Sequence, residues 1–75
     1  MTYIHYQNIG HHTVKRIGGC FAESLEEAAR KLDAEDADVI QEANTGNAYA
    51  VQTWWDEDAE NEIEYEFVTI NLNKG

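Results

Sequence analysis

The chain contains no proline, a single cysteine (Cys20), and only five basic residues against fifteen acidic ones. Each shortage excludes something. One cysteine cannot close an internal disulfide, which fits a reducing compartment and a cytoplasmic location. No apolar run approaches the ~20 residues of a membrane-spanning helix, and no charged segment leads into an apolar signal core. Low-complexity tracts are missing as well. With 43% hydrophobic residues, two Trp, four Tyr and two Phe, the composition is that of a folded globule rather than a disordered chain. The shortage of base is sharpest after Leu32. Residues 33–75 hold twelve acids and one base (Lys74), whereas residues 1–32 hold three acids and four bases. A net charge of −10 repels nucleic acid and anionic membranes and draws in basic surfaces at enhanced rates. The expected partner is therefore a basic protein surface, with no direct nucleic-acid or membrane contact.

Motifs of metal and cofactor chemistry are also missing. His5, His11 and His12, with Cys20, fit no zinc spacing: there is no C-x-x-C, and no H-x-x-x-H on a helical stretch. Gly18-Gly19 runs into Cys-Phe rather than the Lys-Ser/Thr of a phosphate loop. Residues 56–62 echo a calcium loop, but Asn61 stands at the glycine position and Phe67 at that of the bidentate glutamate. Cys20 with His11 or His12 as base has no third group to orient it, and the many carboxylates lack an apolar pocket. The sequence reads as a non-enzyme without metal or cofactor.

Seventy-five residues make one small domain, which buries only about 60% of its unfolded surface. Residues 2–9 are rich in β-formers and predict a strand with Ile4 and Tyr6 inward. A turn at residues 10–12 leads to a second strand over residues 13–21, with a bend or bulge at Gly18-Gly19. Ser24-Leu25-Glu26-Glu27 is a capping box. The helix it opens runs to about Glu35, with Leu25, Ala28, Ala29 and Leu32 on one face. Glu26 with Arg30 and Glu27 with Lys31 are i, i+4 pairs in the favourable orientation. Residues 37–43 predict a short strand, Asn44-Thr45-Gly46-Asn47 a turn, and residues 48–55 a return strand. On the return strand Tyr49, Val51 and Trp55 share one face, Gln52 and Trp54 the other. The fold expected is α+β: ββαβββ, a single antiparallel sheet with one helix packed on one of its faces. Which face the helix covers is left open.

The last strand carries the unusual chemistry. Glu62, Glu64 and Glu66 alternate with Ile63, Tyr65 and Phe67, so period two lines up the carboxylates on one face roughly 6.5 Å apart. Three like charges in a row cost stability unless a partner offsets them. Beyond Phe67 the apolar phase switches to Val68, Ile70 and Leu72, which implies either a bulge or a strand end covered on both faces. The candidate partner-binding set is Trp54, the loop acids Asp56, Glu57, Asp58 and Glu60, and the row Glu62, Glu64 and Glu66. Adjacent Trp54 and Trp55 cannot face the same core, so one of them faces outward, and an outward tryptophan beside charge is a binding hot spot. Duplex DNA repeats a phosphate every ~3.4 Å along each strand, so alternate strand carboxylates match about two such steps. The rival reading of the same residues is a solubilising coat.

The run Gly19-Cys20-Phe21-Ala22-Glu23-Ser24-Leu25-Glu26-Glu27-Ala28 resembles the segment of HicB-type antitoxins where a strand ending Gly-Cys-Phe/Val enters a Leu-Glu-Glu-Ala helix. That resemblance implies a ββαβ core masking an RNA-cleaving toxin. The Asp-Leu-Pro that precedes the Gly-Cys in that family is missing here. Small size, strong acidity and the order hairpin, helix, β-meander are similar to phage anti-CRISPR and anti-restriction proteins, several of which are DNA mimics. This second resemblance implies an inhibitor that binds a basic nucleic-acid-binding host protein or complex and blocks DNA or RNA access, and a monomer is expected because a dimer through the last strand would bring two acidic rows together. The alternative is an antitoxin-like or housekeeping interaction module.

Overall fold

The computed structural model describes residues 1–11, 13–56, 58 and 62–72, except for the side chains of Trp55, Asp56 and Glu62. Its elements are β1 (Thr2–Gly10), β2 (Thr13–Phe21), α1 (Leu25–Leu32), β3 (Val39–Glu42), β4 (Ala48–Asp56) and β5 (Glu62–Ile70). The strands form one open antiparallel sheet in the order β2-β1-β3-β4-β5, so the α+β architecture is as the sequence implies. β1 lies between β2 and β3, and the chain crosses over it through α1. Asn44–Asn47 turns β3 into β4 around Gly46 at φ 78°, with Gly46 N–H donating to Glu42 O at 2.8 Å.

The helix starts where the capping box puts it. Ser24 Oγ accepts from Glu27 N–H at 3.1 Å. The Glu27 carboxylate does not close the box but pairs with Lys31 at 3.1 Å, and Glu26 pairs with Arg30 at 3.2 Å. The helix stops at Leu32, three residues short of the expected Glu35. Asp33 turns left-handed (φ 55°), and the N–H groups of Asp33 and Ala34 close back onto Arg30 O and Ala29 O. That is the Schellman arrangement, with buried Ala34 as its apolar seal.

The core lies between α1 and one face of the sheet. Ala28 and Ala29 let the helix approach closely, over Tyr3, Ile40 and Val51, with Leu25, Leu32, Cys20, Tyr65 and Phe67 around them. Among the described residues Ile40 and Val51 are the largest side chains that are fully buried, a thin core. The inward residues of β1 are Tyr3 and His5, not Ile4 and Tyr6, which lie on the opposite, helix-free face. The cause is a polar anchor that hydrophobicity does not reveal: buried His5 places Nε2 3.0 Å from Oδ2 of buried Asp38. Burial first, and the Glu42 carboxylate second, raise the Tyr3 phenol above its ordinary value of 10.0.

β1 and β2 pair with a register shift between His5↔Gly18 and Tyr6↔Arg16 that skips Ile17, one residue before the expected glycines. Gly19 is required by close approach, since a Cβ there would stand 2.6 Å from Tyr3 O. β4 and β5 pair without interruption from Ala48↔Ile70 to Asp56↔Glu62. The phase switch after Phe67 therefore has no bulge behind it. Val68 and Ile70 share the helix-free face with Glu64 and Glu66, and Val68 remains 41% exposed there. Ile63 lies on the helix side but beyond the helix, and is 42% exposed.

Two stability predictions follow from the anchors. Gly19→Ala should cost about 1–3 kcal/mol, because the added methyl meets backbone rather than a yielding side chain. Asp38→Ala should cost about 3 kcal/mol or more, because it strands a buried histidine and two backbone donors. Urea unfolding followed by tryptophan fluorescence checks both. A loss below about 0.5 kcal/mol in either variant contradicts the corresponding contact.

Candidate partner-binding face

Period two and the unbroken β4–β5 register assemble the site. Trp54 is paired with Glu64 and Gln52 with Glu66, so the tryptophan stands beside the acidic row and not across the sheet from it. Tyr65 and Phe67 point the other way. Their rings are stacked 6.3 Å apart at 5°, with the Arg30 guanidinium 5.3 Å from the Tyr65 ring centre. Packing of these two rings under α1 commits Glu64 and Glu66 to the opposite face, where both are exposed.

Trp54 is 47% exposed on the helix-free face, and the Trp55 side chain lies outside the described residues. Glu62 is in register opposite Asp56 at the far end of the same pair of strands, without a description of either side chain. Asp58 is exposed, while Glu57 and Glu60 lie outside the described residues. The structure thus brings together Trp54, Glu64 and Glu66 of the expected set. Sequence reasoning missed what adjoins them. Val39, Ala50, Val68 and Ile70 continue the same face with apolar side chains, Val39 buried, Ala50 and Ile70 half-buried and Val68 exposed, which the parity of Val68 and Ile70 had signalled.

The other groups weighed for chemistry are dispersed. Cys20 pairs with Tyr3 under the helix, its Sγ 4.0 Å from Ala28 O. It lies seven strand residues, roughly 23 Å, from Thr13, at the other end of β2 from the hairpin turn that holds His11. His5 is engaged with Asp38, and His12 lies outside the described residues. Among the described residues no three His, Cys, Asp or Glu side chains gather as a metal site. No helix among them is long and apolar enough to cross a membrane.

No protein-family model, no curated protein and no solved structure matches the chain, so the site is read from its own geometry.

The row carries a stability signature. Adjacent carboxylates on one strand face repel, and salt screens them. The double variant Glu64→Gln/Glu66→Gln should therefore melt roughly 2–4 °C higher than wild type at low ionic strength. The gap should close near 1 M salt, where the Debye length falls to ~3 Å. Thermal melts at two salt concentrations test this, and a variant that melts lower at low salt would mean that the row is not repulsive.

Proposed function

We propose that this protein is an acidic inhibitor that docks onto a basic, nucleic-acid-binding surface of a host protein or complex and blocks access of DNA or RNA. Glu62, Glu64 and Glu66, with the acids of residues 56–60, stand in for backbone phosphates in this reading. The observation that carries it is the half-exposed Trp54 in register with Glu64 and beside Glu66, on the sheet face that the helix leaves bare. A strand held on its other face by Tyr65 and Phe67 presents its carboxylates already ordered, so little conformational entropy is lost on binding. Trp54 supplies the buried anchor that charge alone lacks. Blockade would be steric and electrostatic, of the kind anti-CRISPR and anti-restriction proteins use.

A second reading has its own observation. Ile17 and Phe21, the latter 69% exposed, lie on the unpaired edge strand β2, where an antitoxin-like module would hold its partner.

A tagged pull-down from host lysate, eluted with heparin or duplex DNA and read by mass spectrometry, separates the two. Mimicry predicts that the polyanion and raised salt release a nucleic-acid-binding protein. It also predicts that Glu62→Gln/Glu64→Gln/Glu66→Gln abolishes capture and that Trp54→Ala weakens it about tenfold or more. A partner indifferent to polyanion and to the triple variant, yet lost in Phe21→Ser, would establish the edge reading instead.

A further inference from the structure

The helix-free face is not acidic throughout. A concave trough of about 910 Å³ adjoins the acidic row, lined in part by Asn8, Val14, Val39, Ala50, Trp54 and Ile70. Trp54 is shared between the trough and the row. Along β5 the two surfaces follow one another on the same face: Glu64 and Glu66, then Val68 and Ile70, over roughly 20 Å.

We propose that this trough receives an amphipathic helix of the basic partner, whose apolar stripe packs on Ala50 and Ile70 and on exposed Val68, paired with Ala50 beside the trough, while its lysines and arginines meet Glu64 and Glu66. This rests on the reading of the acidic face as the site for a basic partner, and it specifies the element that the partner presents.

Three observations choose this occupant. Apolar groups on a second sheet face call for a second packed layer, and among the described residues this chain supplies only α1, on the other face. The trough is open to solvent along one side, so a helix of ~10 Å diameter can lie in it with one face against the sheet. The charge beside it selects a cationic helix and opposes a second copy of this chain, because two chains of net charge −10 repel and pairing across this face would bury acid. Of the two bases on β2, Arg16 shares the helix-free face with trough-lining Val14, while the acidic row lies at the opposite edge of the sheet, on β5.

Two 18-residue peptides of identical Leu/Lys composition make the test, one with leucines at i, i+3, i+4 and i+7, the other scrambled to leave no stripe. Binding is read by Trp fluorescence and by amide chemical shifts. The striped peptide should bind and perturb Ala50, Trp54, Val68 and Ile70, and the scrambled one should bind about tenfold more weakly or less. Val68→Gln, at an exposed position where folding is preserved and can be checked by its melt, should weaken the striped peptide by about tenfold. Glu64→Gln/Glu66→Gln should weaken it and flatten its salt dependence. Equal affinity for the two peptides, or no effect of Val68→Gln, would overturn the trough proposal and leave the charge-based site standing. Failure of both peptides to bind would overturn both. A wild-type dimer in sedimentation that Val68→Gln dissociates would make a second copy the occupant and overturn the proposal as well.

Discussion

The carboxylate of Asp38 is the point on which the arrangement of this molecule turns. Oδ2 lies 3.0 Å from His5 Nε2 and accepts from Glu35 N–H at 2.9 Å, while Oδ1 accepts from Asn8 N–H at 3.4 Å. Its backbone oxygen takes Val51 N–H at 2.8 Å. One buried residue thus ties β1, the turn after α1 and β4 together. A buried carboxylate is tolerated only when its lone pairs are occupied, and here they are, by donors from segments distant in sequence. The requirement is mutual, because His5 lies on the helix side of β1 only if Asp38 is there to meet it. The facing of the first strand, and with it the identity of the bare face, follows from a polar contact rather than from hydrophobic content.

Given that facing, the rest is forced by geometry. The Schellman stop at Asp33 limits α1 to eight residues, about 12 Å of helix, against a sheet of five strands that spans roughly 19 Å between its outer strands. A helix of that length covers the centre of one face and reaches neither Ile63 nor the opposite side. Among the described residues only Ile40 and Val51 are both large and fully buried, and Val68 is left exposed on the second face. Such a chain has stability to gain from any partner that covers what its own helix does not, because binding to the native state alone stabilises it by mass action.

Much of this was legible in the sequence, and the parts that were not have physical reasons. The capping serine, the two i, i+4 pairs, the Asn-Thr-Gly-Asn turn and the alternation of Glu62–Phe67 are local signals, and each marks an element observed in the fold. The inward face of β1 was misread because Ile4 and Tyr6 are the more hydrophobic pair, whereas the structure buries Tyr3 and His5. The helix end was overestimated because a left-handed aspartate carries a weaker signal than glycine. Strand order was illegible, since nothing local says that α1 carries the chain over β1. At the site, period two assigned the glutamates to one face, but only the cross-strand register could put Trp54 among them. The acids of residues 57 and 60 lie outside the described residues, and the fold adds nothing to what their sequence says.

The phase switch at Phe67-Val68 links fold to function most directly. Had a bulge restored the apolar parity, β5 would have buried Val68 and Ile70 under the helix side and shown water a uniformly acidic face. That outcome would be the cheaper one for an isolated domain, because it covers apolar surface and leaves charge where charge is well solvated. The uninterrupted register does the opposite and sets carboxylates and aliphatic side chains end to end along one strand face. A repulsive acidic row beside exposed Val68 and Trp54 is costly twice over for a free chain, and both costs would fall if one cationic, partly apolar surface were laid across them. A solubilising coat accounts for the acids alone. The proposed binding face would account for the acids, Trp54 and the aliphatic groups in one register.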